Sequence, residues 1–164
     1  MLVLLSILIL SSLQLFSEFL RPGGKRFPIL GYIVALARKH DGKLEMAPIF
    51  FGVGVSITLV VFEANIGFAA IAIISIGDMA AKLVGAQLGR HHIFFNKRKT
   101  YEGSIAGFAL AALGALAFVP ISPALIGAAA GMLTEALPLG IDDNLSVPLA
   151  AGLSITGFQI LVGF

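Results

Sequence analysis

The sequence predicts an all-α, polytopic integral membrane helix bundle: about six transmembrane helices and a short interfacial helix, in a single membrane domain over residues 1–164. Three observations predict it. Of the 164 residues 58% are hydrophobic and only 12% are charged, whereas a soluble domain carries about a quarter. Mean hydropathy is +1.00, and the apolar residues gather in six runs near the roughly 20 residues that cross ~30 Å of hydrocarbon. Lys and Arg then fall in alternate loops, as the positive-inside rule requires of a multi-span chain.

The runs follow in order. Residues 2–19 have no basic leading region and no small-residue cleavage site, so a helix is expected rather than a signal peptide. The loop 20–45 holds Arg21, Lys25, Arg26, Arg38, Lys39 and Lys43. Within it, residues 29–40 place Ile29, Ile33, Leu36 and Ala37 on one side with cations at the end, the pattern of a short helix lying in the interface. Spans are expected at 46–62 and 66–88, at 104–119 and 123–137 on either side of Pro120, and at 147–164. The loops around Glu63 and Pro120 contain no Lys or Arg, whereas 89–103 holds Arg90, Lys97, Arg98 and Lys99. Both basic loops are therefore expected in the cytoplasm and both chain ends outside.

The acids share that side. Glu18, Asp41, Glu45, Asp78, Glu102, Glu135, Asp142 and Asp143 lie at or toward it, and Glu63 alone does not. A channel or transporter needs polar groups along a path through the bilayer, and the outer half has almost none. The expectation is chemistry at the cytoplasmic surface on something that arrives from the lipid, with no nucleic-acid partner. Without cysteine there is no disulfide, thiolate metal site or thiol nucleophile, and three histidines, two of them adjacent, argue against zinc.

Asp78, Lys82, Gly85 and Gly89 fall on one face of a helix. Asp78 is deep in its span, with Lys82 one turn nearer the surface as its partner; a structural ion pair is the plain alternative to a functional carboxylate. Ala81, Gly85 and Gly89 form a small-residue ladder that serves close packing within or between subunits, so a homo-oligomer stays open. In NKRKTYEGS, residues 96–104, Lys97, Arg98 and Lys99 precede a span whose N-terminus has Thr100 and Ser104 as caps and Gly103 for close approach. That arrangement suits phosphate, the alternative being an anchor against anionic lipid. Glu102 fits the anchor poorly, since an anion gains nothing from anionic headgroups, and a cation held between Glu102 and phosphate would explain both signs.

In TEALPLGIDDNLSVP, residues 134–148, Glu135, Asp142, Asp143 and Asn144 exceed what capping of the last helix needs. Hard oxygen ligands shared with phosphates suit Mg²⁺. A Mg²⁺–nucleotide site is expected, with no Walker A or kinase glycine-rich loop to supply it.

These motifs resemble those of the CTP-dependent lipid-alcohol kinases: the dolichol and polyprenol kinases with their relatives, yeast-type diacylglycerol kinase and phytol kinase. The resemblance rests on GDMAAKLVGAQLG (Gly77, Asp78, Ala81, Gly85, Gly89), KTYEGS (Lys99, Thr100, Glu102, Gly103, Ser104) and DDNLSVP (Asp142, Asp143, Asn144, Val147, Pro148). Glu135 and, less closely, Glu18, Arg21 and Glu45 add to it, so that it runs from about residue 18 to the C-terminus. The family's leading Arg-Lys stretch and nearby His are not found; Arg38-Lys39-His40 stands elsewhere. The resemblance implies transfer of the γ-phosphoryl of CTP to a long-chain lipid alcohol, dolichol or polyprenol first. On that expectation Asp78 is catalytic, and Lys82, Lys97, Arg98, Lys99, Thr100, Gly103, Ser104 and Asn144 bind the nucleotide. Glu102, Glu135, Asp142 and Asp143 bind Mg²⁺. Rival expectations are a cytidylyltransferase that attacks the α-phosphorus and a non-enzymatic membrane scaffold or transport protein.

Overall fold

The computed structural model describes residues 47–163; the expected first span and interfacial helix lie outside the described residues. The chain divides after Gly52, and the described residues from Val53 onward form one compact unit. The described helices are α1 (Ala47–Val61), α2 (Ala64–Leu88), α3 (Tyr101–Ala115), α4 (Ile121–Ala136) and α5 (Asp143–Val162). Between α2 and α3 stands an antiparallel pair, β1 (His92–Ile93) and β2 (Asn96–Thr100), with His92 opposite Thr100 and Ile93 opposite Asn96. This hairpin departs from the all-helical expectation. Its polar run NKRKT shows no apolar alternation to read, and Phe94 and Phe95 occupy its tip rather than a turn pair such as Asn-Gly.

By length and composition α2 and α5 can cross a membrane, while α1 and α4 are apolar but shorter. Two helices start earlier than their apolar runs. Thr100 caps α3 by accepting from Gly103 N at 3.2 Å, and Asp142 caps α5 by accepting from Asn144 N at 3.0 Å. Each helix thereby extends into polar sequence that hydropathy leaves to the loop. Pro148 consequently lies inside α5 rather than in its first turn.

Alanine and glycine bring the helices together. Gly77, Ala81 and Gly85 on α2 face Gly103, Gly107 and Ala111 on α3: a β-carbon on Gly103 would meet the Ala81 carbonyl at 2.6 Å, and one on Gly107 would meet Ala81 Cβ at 3.0 Å. Among the alternatives for the glycine ladder, this one is intramolecular. Ile73 and Ile74 on α2 and Val147 and Ile155 on α5 fill the centre of the unit, all buried.

Gly54 on α1 makes the tightest approach, since a β-carbon there would stand 2.2 Å from the Asn144 carbonyl oxygen. Pro148 has no N–H to offer that carbonyl. Because the obstacle is backbone, Gly54→Ala is expected to destabilise by about 1–3 kcal/mol. Gly157, with nothing within 4 Å of its absent β-carbon, is expected to gain up to about 1 kcal/mol from the same change. Thermal unfolding of the two variants in detergent should therefore shift in opposite directions.

Candidate functional site

The site begins at an irregularity within α2. Residues Ile73–Gly77 form a π-helical turn, and Asp78 follows it directly. Such a turn adds a residue without breaking the helix and re-aims what comes after. Asp78 is 17% exposed and its Oδ2 accepts from Lys82 Nζ at 2.6 Å, the i,i+4 pair that the sequence predicts.

Asp78 meets Glu135 from the last turn of α4 and Asp143 from the first turn of α5, with one carboxylate oxygen of each lying within 4.8 Å of the others. Lys99 of β2 crosses to the group, donating to Glu135 Oε1 at 2.5 Å and to Asp143 Oδ2 at 3.1 Å. Burial pushes the Lys99 ammonium down, but its hydrogen bonds to and charge attraction by Glu135 and Asp143 outweigh burial and raise it above the usual lysine range. Asn96 secures the same strand by donating to the Ala136 carbonyl at 3.0 Å, which satisfies one of the open carbonyls at the end of α4.

Three carboxylates against the two ammoniums of Lys82 and Lys99 leave one negative charge. Two of the carboxylate oxygens, Asp78 Oδ1 and Glu135 Oε2, are buried with no hydrogen-bond partner. Glu135 is only 2% exposed. A buried carboxylate oxygen without a donor costs several kcal/mol. Converging hard oxygen donors with an uncompensated negative charge fit a divalent cation such as Mg²⁺. A cavity of about 290 Å³ adjoins the group, bordered by Lys82, Arg98, Lys99, Thr100, Ser104 and Glu135 among others.

Other expected site residues fall differently. Glu102 does not join the acidic group; it accepts from His91 Nδ1 at 2.6 Å and from His91 N at 3.2 Å, and so ties α3 to the segment before β1. Asp142 does not join it either, because its Oδ1 is taken by the backbone and side-chain amides of Asn144. Asp142 stands one residue from Asp143, which does join the group, a distinction that spacing alone cannot make. The phosphate-ready helix N-terminus is also altered. Tyr101 N donates to the His91 carbonyl at 3.0 Å and Gly103 N to Thr100 Oγ1, so two of the donors expected for phosphate are satisfied internally. Lys97 and Arg98 are exposed, and Ser104 is half-buried at the cavity wall. The π-helical turn and His91 are the site features that sequence reading missed. Neither has a signal in periodicity, although His91 next to a basic loop was visible as a residue type.

The His91 hydrogen bond, chiefly, together with backbone N–H donors, pulls the Glu102 carboxyl down to about 2 from 4.5. A depressed carboxyl contributes stability that is complete above its unfolded value and vanishes as pH falls through its folded value. The stability advantage of the native chain over Glu102→Gln is therefore expected to be flat above pH 4.5 and to collapse toward pH 2. Melting curves of both proteins across that range check it.

Comparison with known proteins finds relatives of one kind. The chain is 32% identical over 136 residues to a probable phytol kinase, chloroplastic, of Triticum aestivum, covering 70% of this chain and 45% of that protein. It is 30% identical over 142 residues to a probable phytol kinase 2, chloroplastic, of Glycine max (74% and 49%). It is 26% identical over 143 residues to a farnesol kinase, chloroplastic, of Arabidopsis thaliana (76% and 47%). The chain thus spans about half the length of the curated relatives it matches. No family model and no solved structure matches it.

Proposed function

We propose that this chain, a homologue of the plant phytol and farnesol kinases of the CTP-dependent lipid-alcohol kinase family, transfers the γ-phosphoryl group of CTP to the hydroxyl of an isoprenoid alcohol. The observation that carries this reading is the pair of buried, unpartnered carboxylate oxygens on Asp78 and Glu135. They lie in an acidic group beside a cavity bordered by Lys82, Arg98 and Lys99. Phosphoryl transfer asks for charge neutralisation and alignment more than for covalent help, and this group supplies both signs of charge within one pocket.

Glu135 and Asp143 would hold Mg²⁺, and the ion when bound would neutralise phosphate charge. Lys82, Lys97 and Arg98 bind the triphosphate. Lys99 spends two N–H donors on Glu135 and Asp143 and keeps a third for phosphate. The Asp78 carboxylate accepts the hydroxyl proton as the alcohol oxygen bonds to the γ-phosphorus and the bond from that phosphorus to the β,γ-bridging oxygen breaks. The products are the lipid monophosphate and CDP. The bundle is multi-pass, with the hairpin and the α4–α5 loop on the cytoplasmic side. The names of the relatives favour phytol and farnesol as first substrates; dolichol and polyprenol are the longer members of the same class.

The test is transfer by purified protein in detergent with Mg²⁺, a panel of farnesol, phytol and polyprenol, and CTP labelled at either the α or the γ position. Label reaching lipid from the γ position alone supports the reading. Label arriving from the α position replaces it with cytidylyl transfer, and transfer from neither refutes both.

A further inference from the structure

We propose that the seam between α3 and α4 is the track for the hydrocarbon tail of the lipid alcohol, and that Phe108 sets how far along it a tail extends. This rests on the kinase reading for the identity of the alcohol. The seam holds two apolar cavities in line. One, of about 360 Å³, is walled mainly by Ile93 and Phe95 of the hairpin, Ile105 and Phe108 of α3, and Met132 and Leu133 of α4. The other, of about 340 Å³, lies farther along, among Phe108, Ala112 and Leu116 of α3 and Ile121, Ala124 and Leu125 of α4. Phe108 is common to both and divides them.

The first cavity also adjoins the charged site. Ser104 borders both it and the cavity that carries Lys99 and Glu135. Ser104, Phe108 and Ala112 follow at i, i+4 and i+8 on one face of α3. The order along the helix is therefore charged site, Ser104, apolar cavity, Phe108, apolar cavity. From Ser104 to Leu116 the helix rises about 18 Å at 1.5 Å per residue. Ile105 and Leu133, both about two-thirds exposed, form a rim through which a tail can enter sideways from lipid.

An alcohol matches this sequence of environments. Its head is small and uncharged, so it can follow an apolar wall up to Ser104. A phosphodiester head would have to lose its hydration along that same apolar wall. The near cavity holds the first isoprene units of any tail, and the longer the tail, the more of it must pass Phe108.

Two measurements on the full chain in phospholipid nanodiscs test this separately from the kinase reading. The first uses a diazirine-bearing farnesol analogue without nucleotide. Crosslinks on residues 105–108 and 132–136, reduced at least fivefold by excess farnesol against the constant background of disc phospholipid, are expected. Labelling elsewhere, or labelling of the seam that farnesol does not displace, overturns the track whether or not the protein is a kinase. The second measurement is the ratio of kcat/KM for a long polyprenol over that for farnesol. Phe108→Trp should lower the ratio at least tenfold and Phe108→Ala should raise it. Leu125→Trp, at a half-exposed position of the far cavity, should lower it too, and keeps the test alive if Phe108 variants misfold. An unchanged ratio in folded, active variants overturns the role of Phe108.

Discussion

Replacing Lys99 with methionine is expected both to abolish phosphoryl transfer and to lower stability by about 3–5 kcal/mol. The ammonium is 20% exposed and bonds Glu135 and Asp143 together. Removing it leaves the Glu135 carboxylate, 2% exposed, with Oε1 unpaired as well as Oε2. The cost arises mainly from the stranded charge rather than from the lost bond. The double variant Lys99→Met/Glu135→Gln should therefore recover more than half of the stability while remaining inactive. Lys99→Arg restores charge but not the compact geometry, and should be stable but slow. Melting temperature and γ-label transfer, measured on all three, separate the structural from the chemical role. A Lys99→Met protein that melts like the native chain would show that the cluster is not held by this pair.

The second large effect concerns the acids themselves. Asp78→Asn and Glu135→Gln are expected each to reduce kcat by a thousandfold or more, about 4 kcal/mol of transition-state stabilisation at 1.36 kcal/mol per tenfold. Neither should unfold the chain, since each amide keeps the volume and removes a charge that the native site leaves partly uncompensated. Asp142→Asn and Glu102→Gln stand outside the group and should lose less than tenfold. The four variants thus sort by position in space rather than by closeness in sequence. Titration with EDTA and then Mg²⁺ should abolish and restore transfer in the native chain, and Glu135→Gln should need a higher Mg²⁺ concentration for half-maximal rate. Equal losses for Asp142→Asn and Asp78→Asn would contradict the assignment.

How much of this was legible in the sequence varies with the physics involved. The described helices follow from the length of apolar runs, because a hydrocarbon-facing segment must satisfy its backbone internally. The pairing of Asp78 with Lys82 was readable because i,i+4 neighbours are fixed by local geometry. The cap at Thr100 was readable as a residue type; that Asp142 caps the last helix was not. The ladder of Ala81, Gly85 and Gly89 announced a close contact without naming its partner, which for Ala81 and Gly85 is Gly103 of α3.

By itself the sequence determined the positions of the described helices, the gathering of charge toward one end of them and the residue types available for phosphate chemistry. These are properties of short stretches of chain. Only the tertiary structure decided which acids lie together. It selected Asp78, Glu135 and Asp143 and turned Glu102 to His91 and Asp142 to Asn144. It also added the hairpin that carries Lys99 to the acids and the π-helical turn that precedes Asp78. Those outcomes depend on contacts between residues tens of positions apart, where a one-residue change in helix phase rotates a side chain by about 100°. Hydropathy and spacing carry no record of that rotation.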